Sequence, residues 1–294
     1  MIKFSKIAVI GGDLRHSYLA KELSEENFEV FAYGICDINI KNNNIVLCKN
    51  IHEAIESAEI IILPLPFSTD NINLNAISLK VHLPLIEIYS LLNKNQILIG
   101  GNFNKDIYDF SNKHGFKIFD YFKREELVIQ NIIPTAEGAL QIAMQETAFT
   151  IHNSNCVVLG FGRISKLLSK YLKSLGSNVF VFARKYSDLA WIDTYGYTPC
   201  NYSSMLDILP KANIIFNTVP SLLIDEKALK VIKDDTVIID LASRPGGIDF
   251  ACAASFSKKV IWALSLPGKV APFTSGKIIK NTIINILNEE EKNV

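Results

Sequence analysis

The sequence predicts an α/β protein built as two Rossmann-like, doubly wound parallel-sheet domains around an interdomain cleft. Three observations lead there. The chain of 294 residues is long for one hydrophobic core and comfortable for two. Short apolar runs alternate with helical patterns from end to end, which is how βαβ units and parallel sheets read. The plan also repeats. Ala58-Glu-Ile-Ile-Ile-Leu-Pro-Leu-Pro66 and Ala212-Asn-Ile-Ile-Phe-Asn-Thr-Val-Pro220 each run from an alanine to a proline and follow a short helical stretch. Each lies a similar distance beyond a strand ending in glycines, Gly11-Gly12 in one half and Gly160-Phe161-Gly162 in the other. Ligands of such sheets bind beyond the carboxyl ends of the strands, so the cleft is the expected site.

The first domain is expected over residues 1–150, with strands near 6–10, 28–33, 59–64, 97–100 and 116–120. Its first strand runs into Gly11-Gly12-Asp13-Leu14-Arg15-His16, which lacks a second spaced glycine and is not read as a dinucleotide turn. Helix N-terminal amides and Arg15 there suit a substrate carboxylate, with Asp13 orienting Arg15. His16 is either a general acid or base, or a surface or supporting residue beside the turn. His52, His82, His114 and His152 show no partner pattern, and no metal-site spacing is present. The join is placed in 134–150, where Thr135 can cap a helix with Glu137 in its first turn. Ala136, Gly138, Ala139 and Ala143 would keep one face of that helix thin.

The second domain is expected over 151–273, with strands near 156–160, 178–183, 213–218, 236–241 and 260–264. Between the first two, apolar residues at 164, 167, 168, 171, 172 and 175 trace one helix face, and Gly176 follows as its stop. A last helix, about 274–294, is a candidate to pack back onto the first domain.

Composition narrows the function. Thirty basic and thirty acidic side chains cancel, which argues against a general nucleic-acid binder or a polybasic membrane-surface protein. No apolar run approaches the roughly 20 residues of a membrane span, and there is no signal-peptide pattern. Five scattered cysteines, none in a C-x-x-C pair, fit a reducing cytoplasm. Residues 1–150 carry 13 basic and 18 acidic side chains against 17 and 12 in the remainder, so the halves are −5 and +5. The excess would suit an anionic ligand on the second half. Only five of the thirty cations are arginine, so a position that holds one points to a need for a planar fork.

The sharpest motif is Gly160-Phe161-Gly162-Arg163-Ile164-Ser165, after a strand and opening a helix, as a dinucleotide fingerprint requires. Gly160 permits the tight turn, and Gly162 lets backbone approach a pyrophosphate at the helix N-terminus. Ser165 stands at the third glycine position and is expected to loosen helix–strand packing slightly. The competing reading is a tight turn that binds no nucleotide. An NAD site would place an acid about 20 residues on. Here the strand ends in Ala183 and runs into Arg184-Lys185, which favours the 2′-phosphate of NADP over NAD; the plainer alternative is a solvated turn. Asn217-Thr218-Val219-Pro220, Leu241 to Gly247 around Arg244, and Leu264 to Pro272 around Lys269 end the following strands. Asn217, Val219 and Pro220 are expected near the nicotinamide or its ribose, although prolines and glycines also merely terminate strands.

Together Gly11-Gly-Asp-x-Arg15, Pro134-Thr-Ala-Glu-Gly-Ala139, Gly160-Phe-Gly-Arg-Ile164, Asn217-Thr-Val-Pro220, Leu241-Ala-Ser-Arg-Pro-Gly-Gly247 and Leu266-Pro-Gly-Lys-Val-Ala-Pro272 resemble the A subunits of dipicolinate synthase from spore-forming Firmicutes. The architecture is similar, more distantly, to 2-hydroxyacid dehydrogenases and adenosylhomocysteinase. Ser165 and Phe273 depart from the family pattern. The resemblance implies a cytoplasmic enzyme of the sporulating mother cell, on the branch from lysine and diaminopimelate synthesis. It would oxidise a dihydrodipicolinate-type precursor to pyridine-2,6-dicarboxylate, working with a flavoprotein-like B subunit. Self-association as a homo-oligomer is left open. For a flat dicarboxylate, Arg15 and Arg244 are the expected carboxylate ligands, with Lys269 and Thr135 as supporting donors. Glu137 or a water would accept the proton, unless Glu137 only favours its helix terminus. The alternative is a nucleotide-binding scaffold that activates a flavin-bearing catalytic partner.

Overall fold

The computed structural model describes residues 4–36, 44–79 and 81–292. It divides into two compact units, Met1–Asn131 with Ala271–Val294, and Ile132–Val270.

The first unit contains β1 (Lys6–Ile10), α1 (Leu14–Glu25), β2 (Glu29–Tyr33), β3 (Ile45–Leu47), α2 (Ile51–Glu56), β4 (Ile60–Ile62), α3 (Leu85–Leu91), β5 (Ile97–Gly100), α4 (Lys105–His114) and β6 (Lys117–Asp120). These strands form one parallel sheet in the order β3-β2-β1-β4-β5-β6, the doubly wound arrangement. The central strands are continuous aliphatic runs because helices cover both faces. Ile7 to Ile10 and all of β4 are fully buried.

A long helix, α5 (Glu125–Glu146), passes from the first unit into the second. The second unit then carries β7 (Asn155–Leu159), α6 (Arg163–Ser174), β8 (Asn178–Phe182), α7 (Tyr186–Thr194), β9 (Thr198–Cys200), α8 (Met205–Ile208), β10 (Ile214–Asn217), α9 (Glu226–Val231), β11 (Val237–Asp240), α10 (Phe250–Ser255), β12 (Lys259–Trp262) and α11 (Leu266–Val270). Its sheet order, β12-β11-β10-β7-β8-β9, is the first sheet's order over again. The final helix, α12 (Pro272–Lys292), belongs to the first unit. There it packs on α1 so closely that a Cβ at Gly276 would lie 2.5 Å from the Arg15 carbonyl oxygen. Ile278, Ile279, Ile283, Ile286 and Leu287 complete the core around Ile7, Val9, Leu19 and Leu23.

Three features differ from the sequence reading. The edge strands β3 and β9 were not expected, and at three residues each they carry too little pattern to be read. Thr135 is not a helix cap, because α5 begins at Glu125 and runs through Pro134. An interior proline removes one ladder bond and crowds the carbonyl four residues earlier, a cost that the burial of Ala136, Ala139 and Ala143 in the second core offsets. The unit boundary falls at Asn131 and Ile132 rather than near residue 150. The reason is that Ala136, Ala139 and Ala143 are buried in the second core. Gly138 brings that helix against Val270 and Leu266, whose nearest carbons lie 3.2–3.3 Å from a hypothetical Cβ.

Candidate dinucleotide-binding site

The turn after β7 is built to stay open. Gly160 has φ +95°, and a Cβ there would lie 2.7 Å from Thr218 and Val219, so both conformation and space demand glycine. Gly162 caps α6 without any side-chain hydrogen bond, and nothing lies within 4 Å of where its Cβ would be. The first-turn amides of α6 and the positive end of its dipole therefore face free space, which is what a diphosphate needs. Ser165 is fully buried, and its Oγ donates to the Gly160 carbonyl at 2.6 Å. Instead of loosening the packing, the serine ties helix to turn.

A cavity of about 660 Å³ opens at this turn. Gly160, Phe161 and Gly162 line it together with Ala183, Arg184 and Lys185 beyond β8 and Val219 and Pro220 beyond β10. Sequence reasoning missed Asp188, on the first turn of α7, and Tyr202, both of which line the same cavity. An acid is thus present beside the two exposed cations, beyond the strand end where the fingerprint looks for it. The hydroxyl of Tyr202 is pushed up by burial, against the charge of Arg184.

Three expected cofactor residues lie outside this cavity. Asn217 is fully buried, and its amide donates to the Val219 carbonyl at 3.0 Å and to Asp240 at 2.8 Å. Asp240 also accepts from the backbone of Ala242 and Gly247. Asn217 is a latch that joins the loops beyond β10 and β11. Ile164 is half-buried against the core of the unit. Arg163 faces a second cavity, shared with Lys166, Lys170, Tyr195 and Tyr197.

The expected substrate residues of this unit are more scattered. Arg244 is exposed, with its guanidinium carbon 6.0 Å from the centre of the Trp262 ring. Lys269 is exposed on α11, and Glu137 is exposed on α5, while Thr135 is half-buried beside it. None of the four lines the cofactor-sized cavity.

In the first unit the equivalent turn is filled by the protein itself. The amides of Gly11 and Gly12 donate to the carbonyls of Tyr33 and Asn75 at 2.8 Å each. The Asp13 carboxylate caps α1 by accepting from the Arg15 amide at 3.0 Å. It also takes the Arg15 Nε at 2.9 Å and Nη2 at 2.8 Å, and Nη2 donates further to the Leu65 carbonyl at 2.6 Å. Arg15 is 6% exposed, and only Nη1 lacks a partner among the described residues. The expected grip of turn amides and a full arginine fork on a substrate carboxylate is therefore reduced to one guanidinium nitrogen.

His16 is fully buried and packs on Gly12, so it is no surface residue. Its Nε2 lies 3.3 Å from the Tyr121 hydroxyl, which donates to the Leu63 carbonyl at 3.0 Å. Its Nδ1 lies 3.7 Å from Asp13 Oδ1, too far for a hydrogen bond. Burial lowers the pKa of His16 and keeps it neutral, while Asp13 opposes that shift. Burial would raise Asp13, but the Arg15 fork outweighs it and holds the carboxyl well below the usual range.

No described helix is long and apolar enough to cross a membrane, and no described group of three or more His, Cys, Asp or Glu could hold a metal.

Residues 6–122 match the family model of the N-terminal domain of the dipicolinate synthase A subunit. Residues 134–250 match that of the NAD-binding domain of D-isomer-specific 2-hydroxyacid dehydrogenases, which supports a nicotinamide cofactor and an oxidoreductase of that kind. The chain is 31% identical over 290 residues to the dipicolinate synthase A subunit of Bacillus subtilis (strain 168), covering 98% of both chains. Its fold matches the crystal structure of the same Bacillus subtilis synthase component with a TM-score of 0.87 and 30% identity, over 100% of this chain and 99% of that one. The crystal structure of the Bacillus halodurans counterpart gives 0.88 and 29%, over 98% and 99%. A transhydrogenase from Sinorhizobium meliloti shares the fold at a TM-score of 0.71 and 13% identity, over 97% and 94%.

Proposed function

The chain belongs to the family of dipicolinate synthase A subunits, and from that premise we propose that it oxidises a dihydrodipicolinate-type precursor to pyridine-2,6-dicarboxylate with NADP. The observation that carries the cofactor reading is the open turn at Gly162, set in one cavity with Arg184 and Lys185. A Cβ at Gly162 would intrude on a diphosphate bound at this helix terminus, and the two cations would suit a 2′-phosphate. When bound, the nicotinamide would supply hydride acceptance; the remaining tasks fall to the protein. Aromatising a dihydropyridine removes a hydride and a proton, and the aromatic product makes the step downhill. The protein must chiefly hold two carboxylates and orient the ring.

Arg244, exposed and without an acidic partner among the described residues, is the proposed ligand of one carboxylate, with Lys269 in support. The Nη1 nitrogen of Arg15 is the proposed ligand of the other. Thr135 would support the binding, and Glu137 or a water would take the proton. The enzyme would work in the cytoplasm of the sporulating mother cell, beside a flavoprotein-like B subunit. A second reading, a nucleotide-binding scaffold for a catalytic flavin-bearing partner, is favoured by one observation. Asp13 and the Leu65 carbonyl already occupy most of the Arg15 fork.

The test mixes purified chain, NADP+ and freshly generated precursor, with and without the B subunit, and follows absorbance of the reduced cofactor. Reduction by the chain alone, lost in Arg244→Leu with NADP(H) affinity retained, is the expected result. Reduction only with the partner present would favour the scaffold.

A further inference from the structure

The second cavity of the second unit, about 510 Å³, belongs to no task assigned so far. Its residues share a chemistry. Arg163, Lys166 and Lys170 follow one another at intervals of three and four on α6, which places them on one helix face. Leu167 lies among them, and Tyr195 and Tyr197, beyond α7, form the remaining lining. None of these lining residues is acidic. Lys166 and Lys170 are exposed and pair with no carboxylate among the described residues. Beside the groove Trp191 stacks on Tyr195 with ring centres 5.5 Å apart, and these two rings are 55% and 51% exposed. Cations interleaved with exposed aromatic rings are the composition of an interface, since tyrosine, tryptophan and arginine are enriched there.

We propose that this groove is the docking surface for an extended acidic segment of the B subunit. The inference rests on the two-subunit reading above. The three cations span about 10 Å along the helix, the reach of about three residues of extended chain. Two carboxylates on alternate residues of an extended strand, about 7 Å apart, fall within that span. The surplus of positive charge in the second half of the sequence, 17 basic against 12 acidic residues, has the sign such a partner needs. An open helix face favours a chain segment over an enclosed small molecule. The overall neutrality of the protein favours a protein partner over nucleic acid.

The groove also abuts the cofactor cavity. Phe161 lines that cavity, lies 6.5 Å from Tyr195, and carries the Lys166 ammonium 5.1 Å above its ring. A carboxylate that drew Lys166 away from this ring would alter one wall of the cofactor cavity. Partner and cofactor are therefore coupled through Phe161, and each should change the affinity of the other by the same factor.

The experiment titrates the full chain calorimetrically with purified B subunit, in low and in high salt, for the wild type, Lys170→Glu and the double variant Lys166→Glu/Lys170→Glu. The expected result is a wild-type affinity that falls with salt, and a loss of about tenfold or more in the double variant. Both variants should keep a wild-type circular dichroism spectrum, and Lys170→Glu, which leaves Lys166 over Phe161, should bind NADP(H) as the wild type does in the absence of partner. Wild-type affinity for the B subunit in the double variant would overturn the proposal. If sedimentation then showed that the double variant had lost self-association, the face would pass to a second copy of the chain. A wild-type chain that binds no B subunit would remove the two-subunit reading itself, a failure visible before any variant is made.

Discussion

The turns after β1 and β7 hold the same station in two sheets of the same strand order. After β7, glycine is followed by empty space and the helix carries no side-chain cap. After β1, the Gly12 amide is engaged by Asn75, and the Asp13 carboxylate sits on the helix terminus with Arg15 folded over it. The bond from Gly11 to Tyr33 has its counterpart in the bond from Gly160 to Phe182. An anion-binding geometry was thus kept in both units, but in one of them the protein supplies its own anion. What distinguishes the two turns is the helix cap, Asp13 with its Arg15 partner against a bare Gly162, together with the Asn75 carbonyl on the Gly12 amide.

The comparison breaks most easily at Gly162. Gly162→Val should leave the fold intact, since nothing surrounds the new side chain, yet remove both NADP(H) and NAD(H) binding. We expect a loss of about 3 kcal/mol or more, over a hundredfold, because charge-assisted diphosphate contacts are lost together. A variant that binds cofactor normally in a fluorescence titration would reduce the turn to mere architecture. Gly12→Ala should do the reverse. Its φ is +97° and its Cβ would strike His16, so thermal unfolding should show a loss of about 2–3 kcal/mol. Cofactor affinity of the remaining folded protein should not change. An undisturbed melting curve would contradict the filled-turn description.

Arg184→Asp sharpens the contrast within the open site. It should weaken NADP(H) by about 1.5–3 kcal/mol and leave NAD(H) nearly untouched, read by parallel titrations. Equal weakening of both would shift attention to Asp188, which lines the same cavity. The smallest effect belongs to Ser165→Ala. Losing the hydroxyl bond to the Gly160 carbonyl should cost about 1 kcal/mol of stability and only slightly relax cofactor affinity. A variant more stable than wild type would show that the serine does loosen the helix.

Much of this was legible because it is periodic. The five longer strands of each half, the α6 face and the glycine-flanked turn repeat at spacings that sheet and helix geometry impose. The short edge strands β3 and β9 have no such repeat, and propensity alone does not reveal three residues. Thr135 was misread as a cap because threonine with Glu137 two residues on has the pattern of a helix start, whereas α5 begins at Glu125 and runs through this segment into the second core. At the candidate site, Arg184 and Lys185 were readable from their distance to the glycines. Asp188 was not, since its approach to the cavity depends on how α7 leaves the strand. The Asp13–Arg15 pairing was visible in the letters, but its consequence for the turn depends on Leu65 and Asn75, which are distant in sequence.

The return of α12 to the first unit has a bearing on how this protein is made. During translation the residues of the second unit, Ile132–Val270, leave the ribosome while the first core still lacks Ile279, Ile283, Ile286 and Leu287. The later-encoded domain can therefore close first, against the usual N-terminal-first order. A nascent polypeptide released before α12 is translated would carry a finished cofactor domain beside an open, aggregation-prone sheet. Messages truncated just before the codons of α12 should accordingly yield protein that is cleared by proteases, with no stable amino-terminal fragment left behind.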